Sequence, residues 1–295
     1  MACGLALLAS GQAMAVNQLS IGNGTDFTTA ANWDDVPAAC PGTAAGTAPT
    51  AADTFLICPG HTIALGAANT VDGVTVKAGV AGTLTGGTLA LGTFALTATT
   101  RLQVDESMVA GGAGGTVTSS SATTAHQLGM LVVGMGMPGA TGPVANLGGA
   151  QIAGNVILNT GTLTLGSNSS VGGNLTIDAG TFAGTLRFTD ANHTINAQSA
   201  AKTIPNLNLS LMTTPGRTIT IAASGQNVTF TNPVVGGSLS CTPTGGAAAT
   251  YTAGAALTPG TVCTVTAGGG GGGGTVSAPI FSTKEKPAVF SEEVK

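Results

Sequence analysis

The sequence predicts an all-β chain that stacks on itself as a parallel β-helix (β-solenoid) with disulfide-closed ends and a flexible C-terminal tail. Three observations carry that expectation. Gly154-Asn155-Val156-Ile157-Leu158-Asn159-Thr160-Gly161-Thr162-Leu163 recurs 19 residues on as Gly173-Asn174-Leu175-Thr176-Ile177-Asp178-Ala179-Gly180-Thr181-Phe182, and a fixed period near 20 marks a unit that piles on copies of itself. Within the unit apolar residues alternate, with Val156, Leu158, Leu163 and Leu165 on the inward side; one repeat cannot bury that face, so its neighbours above and below must. The composition fits a narrow interior of Val, Ile, Leu and Ala: 47 glycines, 43% hydrophobic residues, 3% aromatic and 7% charged. Disorder is the competing reading of so much Gly and Thr. Over residues 55–265 the persistent alternation and a net charge of only −4 argue against it.

Residues 1–15 read as a signal-peptide remnant. Leu5-Ala6-Leu7-Leu8-Ala9 supplies an apolar core and Ala13-Met14-Ala15 a small-x-small cleavage site, without the positively charged segment that normally precedes them. Cys3 stands before most of the apolar run, whereas a lipoprotein cysteine follows it. With that segment removed four cysteines remain, in two local pairs, Cys40 with Cys58 and Cys241 with Cys263. Four cysteines allow three pairings; the local scheme is expected because each bridge then closes one loop at one end of the stack. The absence of any C-x-x-C spacing speaks against zinc.

Residues 16–69 form an N-terminal cap. They run Trp33, Pro37, Asp53-Thr54-Phe55-Leu56-Ile57, then Gly60-His61-Thr62-Ile63-Ala64-Leu65. This order of a Trp, a Pro-containing loop, Asp-Thr with an apolar strand, then Gly-x-Thr-apolar-x-Leu resembles the opening of bacterial secreted and surface β-helix proteins and of the G8-type β module. The resemblance covers about 50 residues and implies a segment that precedes or caps a right-handed parallel β-helix. The cysteine-bounded insertion between Trp33 and Asp53 departs from it. The single Trp is expected to cover the open apolar end of the stack rather than to stack on a sugar.

Residues 70–232 are the expected β-solenoid, about eight coils of roughly 20 residues. Short alternating runs such as Val74-Thr75-Val76, Thr88-Leu89-Ala90-Leu91 and Leu102-Gln103-Val104 are broken by Gly pairs. Asp105-Glu106 reads as a solvated turn. Residues 111–150 are the least regular part, a lateral loop or imperfect coil, in which Met130, Met135 and Met137 are expected to fill apolar gaps rather than bind a soft metal. Asn155, Asn174, Asn196, Asn206, Asn208 and Asn227 recur beside strands, where Asn tolerates left-handed backbone and can bond between coils. Residues 233–266 read as a C-terminal cap or small β unit. Residues 267–295 are a glycine linker, Gly268 to Gly274, followed by a tail with Val276, Ile280, Phe281 and Phe290 beside clustered charges. That tail is a candidate docking segment; a solvated end is the competing reading.

The function classes narrow accordingly. A chain with eight Lys and Arg against twelve Asp and Glu has no basic footprint for nucleic acid. No apolar run is long enough for a transmembrane helix. Pectate-lyase-type enzymes share the β-helix, yet their chemistry needs clustered acids with a nearby base. The only suggestive trio is Asp178 with Arg187 or Asp190 on adjacent coils, expected to be a surface ion pair. His61, His126 and His193 fit no metal motif. No catalytic, cofactor or metal residue is therefore assigned. The expectation is a secreted or cell-surface, non-enzymatic structural or adhesive protein of the bacterial surface or extracellular matrix, self-associating, or a fibre subunit. The alternative is a β-helix that binds or cleaves surface polysaccharide.

Overall fold

A computed structural model describes residues 16–268, apart from 25–26, 36–39, 44–45, 47, 123–125 and 138–140. The signal remnant and the tail residues Val276, Ile280, Phe281 and Phe290 lie outside the described residues. What is described is nearly all β: a 16-stranded sheet, a seven-stranded sheet and a three-stranded sheet. A single turn of 3-10 helix, Ala30–Asn32, is the one helical element among the described residues.

The backbone of the long sheet is a run of parallel strands. Asn17–Ser20, Thr54–Ile57, Asn69–Val76, Leu96–Val104, Leu131–Val133, Val156–Leu158, Leu175–Ile177, His193–Ala197 and Thr218–Ile221 follow one another in chain order and pair in that order. The seven-stranded sheet interleaves with it along the chain: Thr62–Ala64, Thr88–Gly92, Thr116–Ser119, Val144–Leu147, Thr162–Leu165, Thr181–Arg187 and Asn206–Asn208. The sequence repeat is the pairing register. Val156 lies beside Leu175 and Leu158 beside Ile177; Thr162 lies beside Thr181 and Leu163 beside Phe182. Like residues therefore meet like across one strand spacing of about 4.8 Å. Val156, Leu158, Leu163 and Leu165 are fully buried, and with their counterparts on every other level they form one continuous apolar core from Phe27 to Val265.

The asparagines do bond between levels. Asn155 Oδ1 accepts the Asn174 amide at 2.8 Å, and Asn174 Oδ1 accepts the Thr194 amide at 2.8 Å. The expected left-handed asparagines are not found: no described residue other than glycine has positive φ. Positive φ is taken by glycines such as Gly161, with φ 77°, where a Cβ would collide with the Pro143 carbonyl of the preceding level.

Both ends of the long sheet turn antiparallel. At one, Trp33–Asp34 pairs antiparallel with Asn17–Ser20. Trp33 is fully buried, stacked on Phe27 at 5.4 Å and edge-on to Phe55 at 4.6 Å, so it covers the apolar end, as expected, and presents no face to a sugar. At the other end Val262–Ala267 pairs antiparallel with both Thr218–Ile221 and Gly237–Thr242. Disulfides Cys40–Cys58 and Cys241–Cys263 close the two ends in the expected pairing. Among the described residues no helix is long and apolar enough to cross a membrane.

Two expectations about the repeat need correction. Parallel pairing begins at Asn17, well ahead of residue 70, since Asn17 already lies beside Thr54 and Thr54 beside Gly73. The main ladder of the long sheet also passes through seven strands from Asn69–Val76 to Thr218–Ile221, against the expected eight or so coils. The period is not uniform, because three consecutive repeats carry long connections at the same corner.

Candidate functional site

Where plain repeats turn from the long sheet into the second sheet the chain needs only a short link, as between Leu158 and Thr162 or between Ile177 and Thr181. The links from Val76 to Thr88, Val104 to Thr116 and Val133 to Val144 are much longer. They are rich in Gly, which keeps them out of the strand pattern. The three loops stack. Gly79 N donates to Ala113 O at 2.8 Å and Ala113 N to Leu84 O at 2.7 Å, joining the first loop to the second. Ser107 and Thr141 exchange backbone hydrogen bonds at 3.0 and 2.8 Å, joining the second to the third. Ser107 Oγ adds a bond to Gly79 O at 2.8 Å. Their backbone polar groups thus satisfy one another, as a projecting segment requires.

Between this wall and the outer face of the long sheet lies a groove of about 620 Å³. Leu56, Val80, Met108, Val109 and Met135 give it apolar sides, and Lys77 and Asp105 form its polar floor. Lys77 Nζ meets Asp105 Oδ2 at 3.0 Å, and Gln103 Nε2 donates to the other oxygen at 2.7 Å. Glu106 lines the same groove and holds the third loop: its carboxylate accepts the Met137 amide at 2.5 Å and the Thr160 hydroxyl.

The sequence expectations for this region are therefore overturned in two places. Asp105 and Glu106 are not a solvated turn; both are buried, paired with groups 28 and 31 residues away. Met135 and Met137 do not fill core gaps; they are 61% and 40% exposed on the third loop. A second cavity of about 540 Å³ lies at the ledge where the third loop ends above the plain repeats, lined by Met137, Pro143, Thr160, Thr162, Asp178 and Ser199.

The remaining candidates act within the fold. The trio of Asp178, Arg187 and Asp190 does not assemble. Asp190 instead pairs with Arg217 Nε at 3.1 Å, and the Thr214 hydroxyl that it accepts, more than the arginine, holds its carboxyl below the usual range. Arg187 Nε has no hydrogen-bond partner among the described residues. The Ser20 hydroxyl accepts the Cys58 amide and shares a hydrogen bond with His61 Nδ1, each at 2.8 Å. His193 sets its two nitrogens against Gly173 O and Thr189 O. His126 is fully buried; Nδ1 accepts the Leu96 amide at 3.3 Å and Nε2 faces Ser119 Oγ at 3.1 Å. That geometry fixes the neutral Nε2–H form, and burial pulls its pKa down to about 4. Among the described residues no group of three or more His, Cys, Asp or Glu is placed to hold a metal ion.

Apolar sides over a charged floor can receive an extended apolar segment flanked by charges. Sequence reasoning missed the groove, although a signal existed. Gly79-to-Gly87, Gly111-to-Gly115 and Gly134-to-Gly142 are three glycine-rich stretches, each within the connection that follows a strand of the long sheet. The chain matches no family model, no curated protein and no solved structure.

Proposed function

We propose that the chain is an exported, non-enzymatic β-solenoid, wound as a right-handed parallel β-helix, that serves as structural or adhesive material of the bacterial surface or extracellular matrix. The observation that carries this reading is the parallel ladder of nine strands, closed at both ends by antiparallel strands and disulfides. Such a body is a stiff spacer about 40 Å long at one strand per 4.8 Å. Five of its acids are used in holding it together. Asp53 accepts the Val16 and Thr50 amides, Asp72 the Thr100 hydroxyl, and Asp105, Glu106 and Asp190 link segments far apart in sequence. Disulfides persist in oxidising compartments, which supports export. On this reading Trp33 to Leu65 is a G8-like cap. The test is fractionation of the producing cell with non-reducing mass mapping. The expected result is surface or medium recovery with both bridges formed; cytoplasmic recovery with four free thiols overturns the reading.

The second reading, binding or cleavage of surface polysaccharide, is favoured by the ledge cavity. Its Thr160, Thr162, Asp178 and Ser199 offer hydroxyls and a carboxylate of the kind that meet sugar hydroxyls. Glycan binding that is lost in Asp178→Asn would establish it.

A further inference from the structure

We propose that the loop-walled groove receives residues 276–290 of a neighbouring copy, joining copies head to tail. This rests on the surface-protein reading above and gives it an assembly contact.

Five of the exposed large apolar side chains among the described residues, Val80, Leu84, Met108, Met135 and Met137, stand on the three stacked loops. Apolar side chains concentrated on one surface mark an interaction site, and methionines re-pack readily around an incoming chain. In repeat architectures the loops added on one face are often the binding face. The occupant matches in chemistry. Residues 276–290 carry Val276, Ala278 and Ile280 in alternation, then Phe281, and one acid, Glu285, between two bases, Lys284 and Lys286. The groove carries the opposite set, one base, Lys77, with two acids, Asp105 and Glu106.

The distances select a neighbour over the same chain. The last described strand, Val262–Ala267, lies seven strand steps from Asn69–Val76, which leads into Lys77. Seven steps are roughly 34 Å, and the near end of the groove, at Met135 beside Leu131–Val133, is five steps or roughly 24 Å away. A seven-glycine linker has a typical span of about 15 Å and a fully extended one of about 25 Å. Filling its own groove would hold the linker taut along the body, at a cost in chain entropy. A second copy is not held at that distance and can bring its groove to the tail without stretching the linker. Because the donor segment and the groove are different surfaces, each added copy offers a new groove, and the assembly stays open-ended.

The test uses the full chain, in wild type, a tail variant (Ile280→Asp with Phe281→Asp) and a groove variant (Val80→Asp with Met135→Glu). Both groove positions are exposed, so the fold should survive, and thermal melting checks this. Sedimentation should show wild type growing with concentration beyond twice the single-chain mass. Each variant alone should stay at the single-chain mass. Mixed one to one they should form a species of twice that mass and no larger, since only one complementary contact remains. Assembly of the tail variant alone, or wild type at single-chain mass throughout, overturns the proposal, as does crosslinking of the tail to the groove of its own chain. Any of these results leaves surface location, read by fractionation, untouched.

Discussion

Residues 54–147 and residues 150–209 use the same core and different perimeters. In the second stretch the repeat is bare: Leu158 leads almost at once to Thr162, and Ile177 to Thr181. In the first, three repeats carry loops that stack into a wall. The inward residues do not register the change; Leu102, Val104, Leu131 and Val133 are as fully buried as Val156, Leu158, Leu175 and Ile177. Length is added only at the corner, outside the core, where loops are cheap to extend. The comparison separates what makes this chain stable from what makes one side of it distinctive.

The largest expected effects test the shared core. Leu158→Asp and Val104→Asp each place an unpaired charge among fully buried neighbours and should each cost at least about 4 kcal/mol. Denaturant melts that differ widely between the two would break the claim of one core. Next comes the disulfide at the looped end. Replacing Cys40 and Cys58 by Ser reopens a link of sequence separation 18, and should cost about 3 kcal/mol in the chain-entropy view; an unchanged melting temperature contradicts this.

A third prediction uses a corner that the two regions fill differently. In the bare region the Ala150 amide is received by Ser169 Oγ at 3.0 Å; in the looped region the Leu96 amide is received by His126 Nδ1. Serine does not titrate in this range, and histidine does. Burial depresses the His126 pKa to about 4, so the unfolded chain binds the proton first. The His126 contribution is then complete above pH 6.5, falls as pH drops from 6.5 to 4 by up to about 3 kcal/mol, and is constant below. His61 is shifted the same way, mainly by burial, and adds to the slope. The Asp190 contribution is lost only below the ordinary carboxylate range. His126→Gln should flatten most of the slope between pH 6.5 and 4; a slope identical to wild type sinks the assignment.

Smaller effects belong to the perimeter. Gly161→Ala forces a left-handed residue and drives a Cβ against the Pro143 carbonyl; about 1–2 kcal/mol is expected. Met135→Glu, at an exposed loop position, should change stability by less than about 0.5 kcal/mol. If it melts like a core variant, the wall is structural rather than peripheral.

The bare region was readable because sequence repetition there is physical register: the 19-residue echo places Val156 on Leu175, and alternation assigns the buried face. The disulfides were readable for a related reason, as each pair closes a local loop. The buried indole of Trp33 followed from the need to cover an open end. The groove was not readable. Whether Asp105 faces water or Lys77, and whether Glu106 meets Met137 and Thr160, depends on loops that stack only after the repeats have docked. Met135 and Met137 misled because methionine carries no pattern that separates a core gap from an exposed wall. The left-handed asparagines failed because every described left-handed position is held by glycine, which takes it without steric cost.

The disulfide between Cys241 and Cys263 has a mechanical consequence. The strands that carry these residues lie between Thr218–Ile221 and the edge strand Ala249–Thr250, at the end from which the chain continues toward its glycines. Tension applied through that continuation reaches Val262–Ala267 first and works to peel it from Thr218–Ile221, one hydrogen bond after another. The bridge ties the pulled strand to Gly237–Thr242 at Cys263, near the end of the strand away from the pull, so peeling halts there until the second strand yields with it. Beyond that point the load spreads over two strands at once. An end fastened in this way is suited to a chain that must hold on while something pulls.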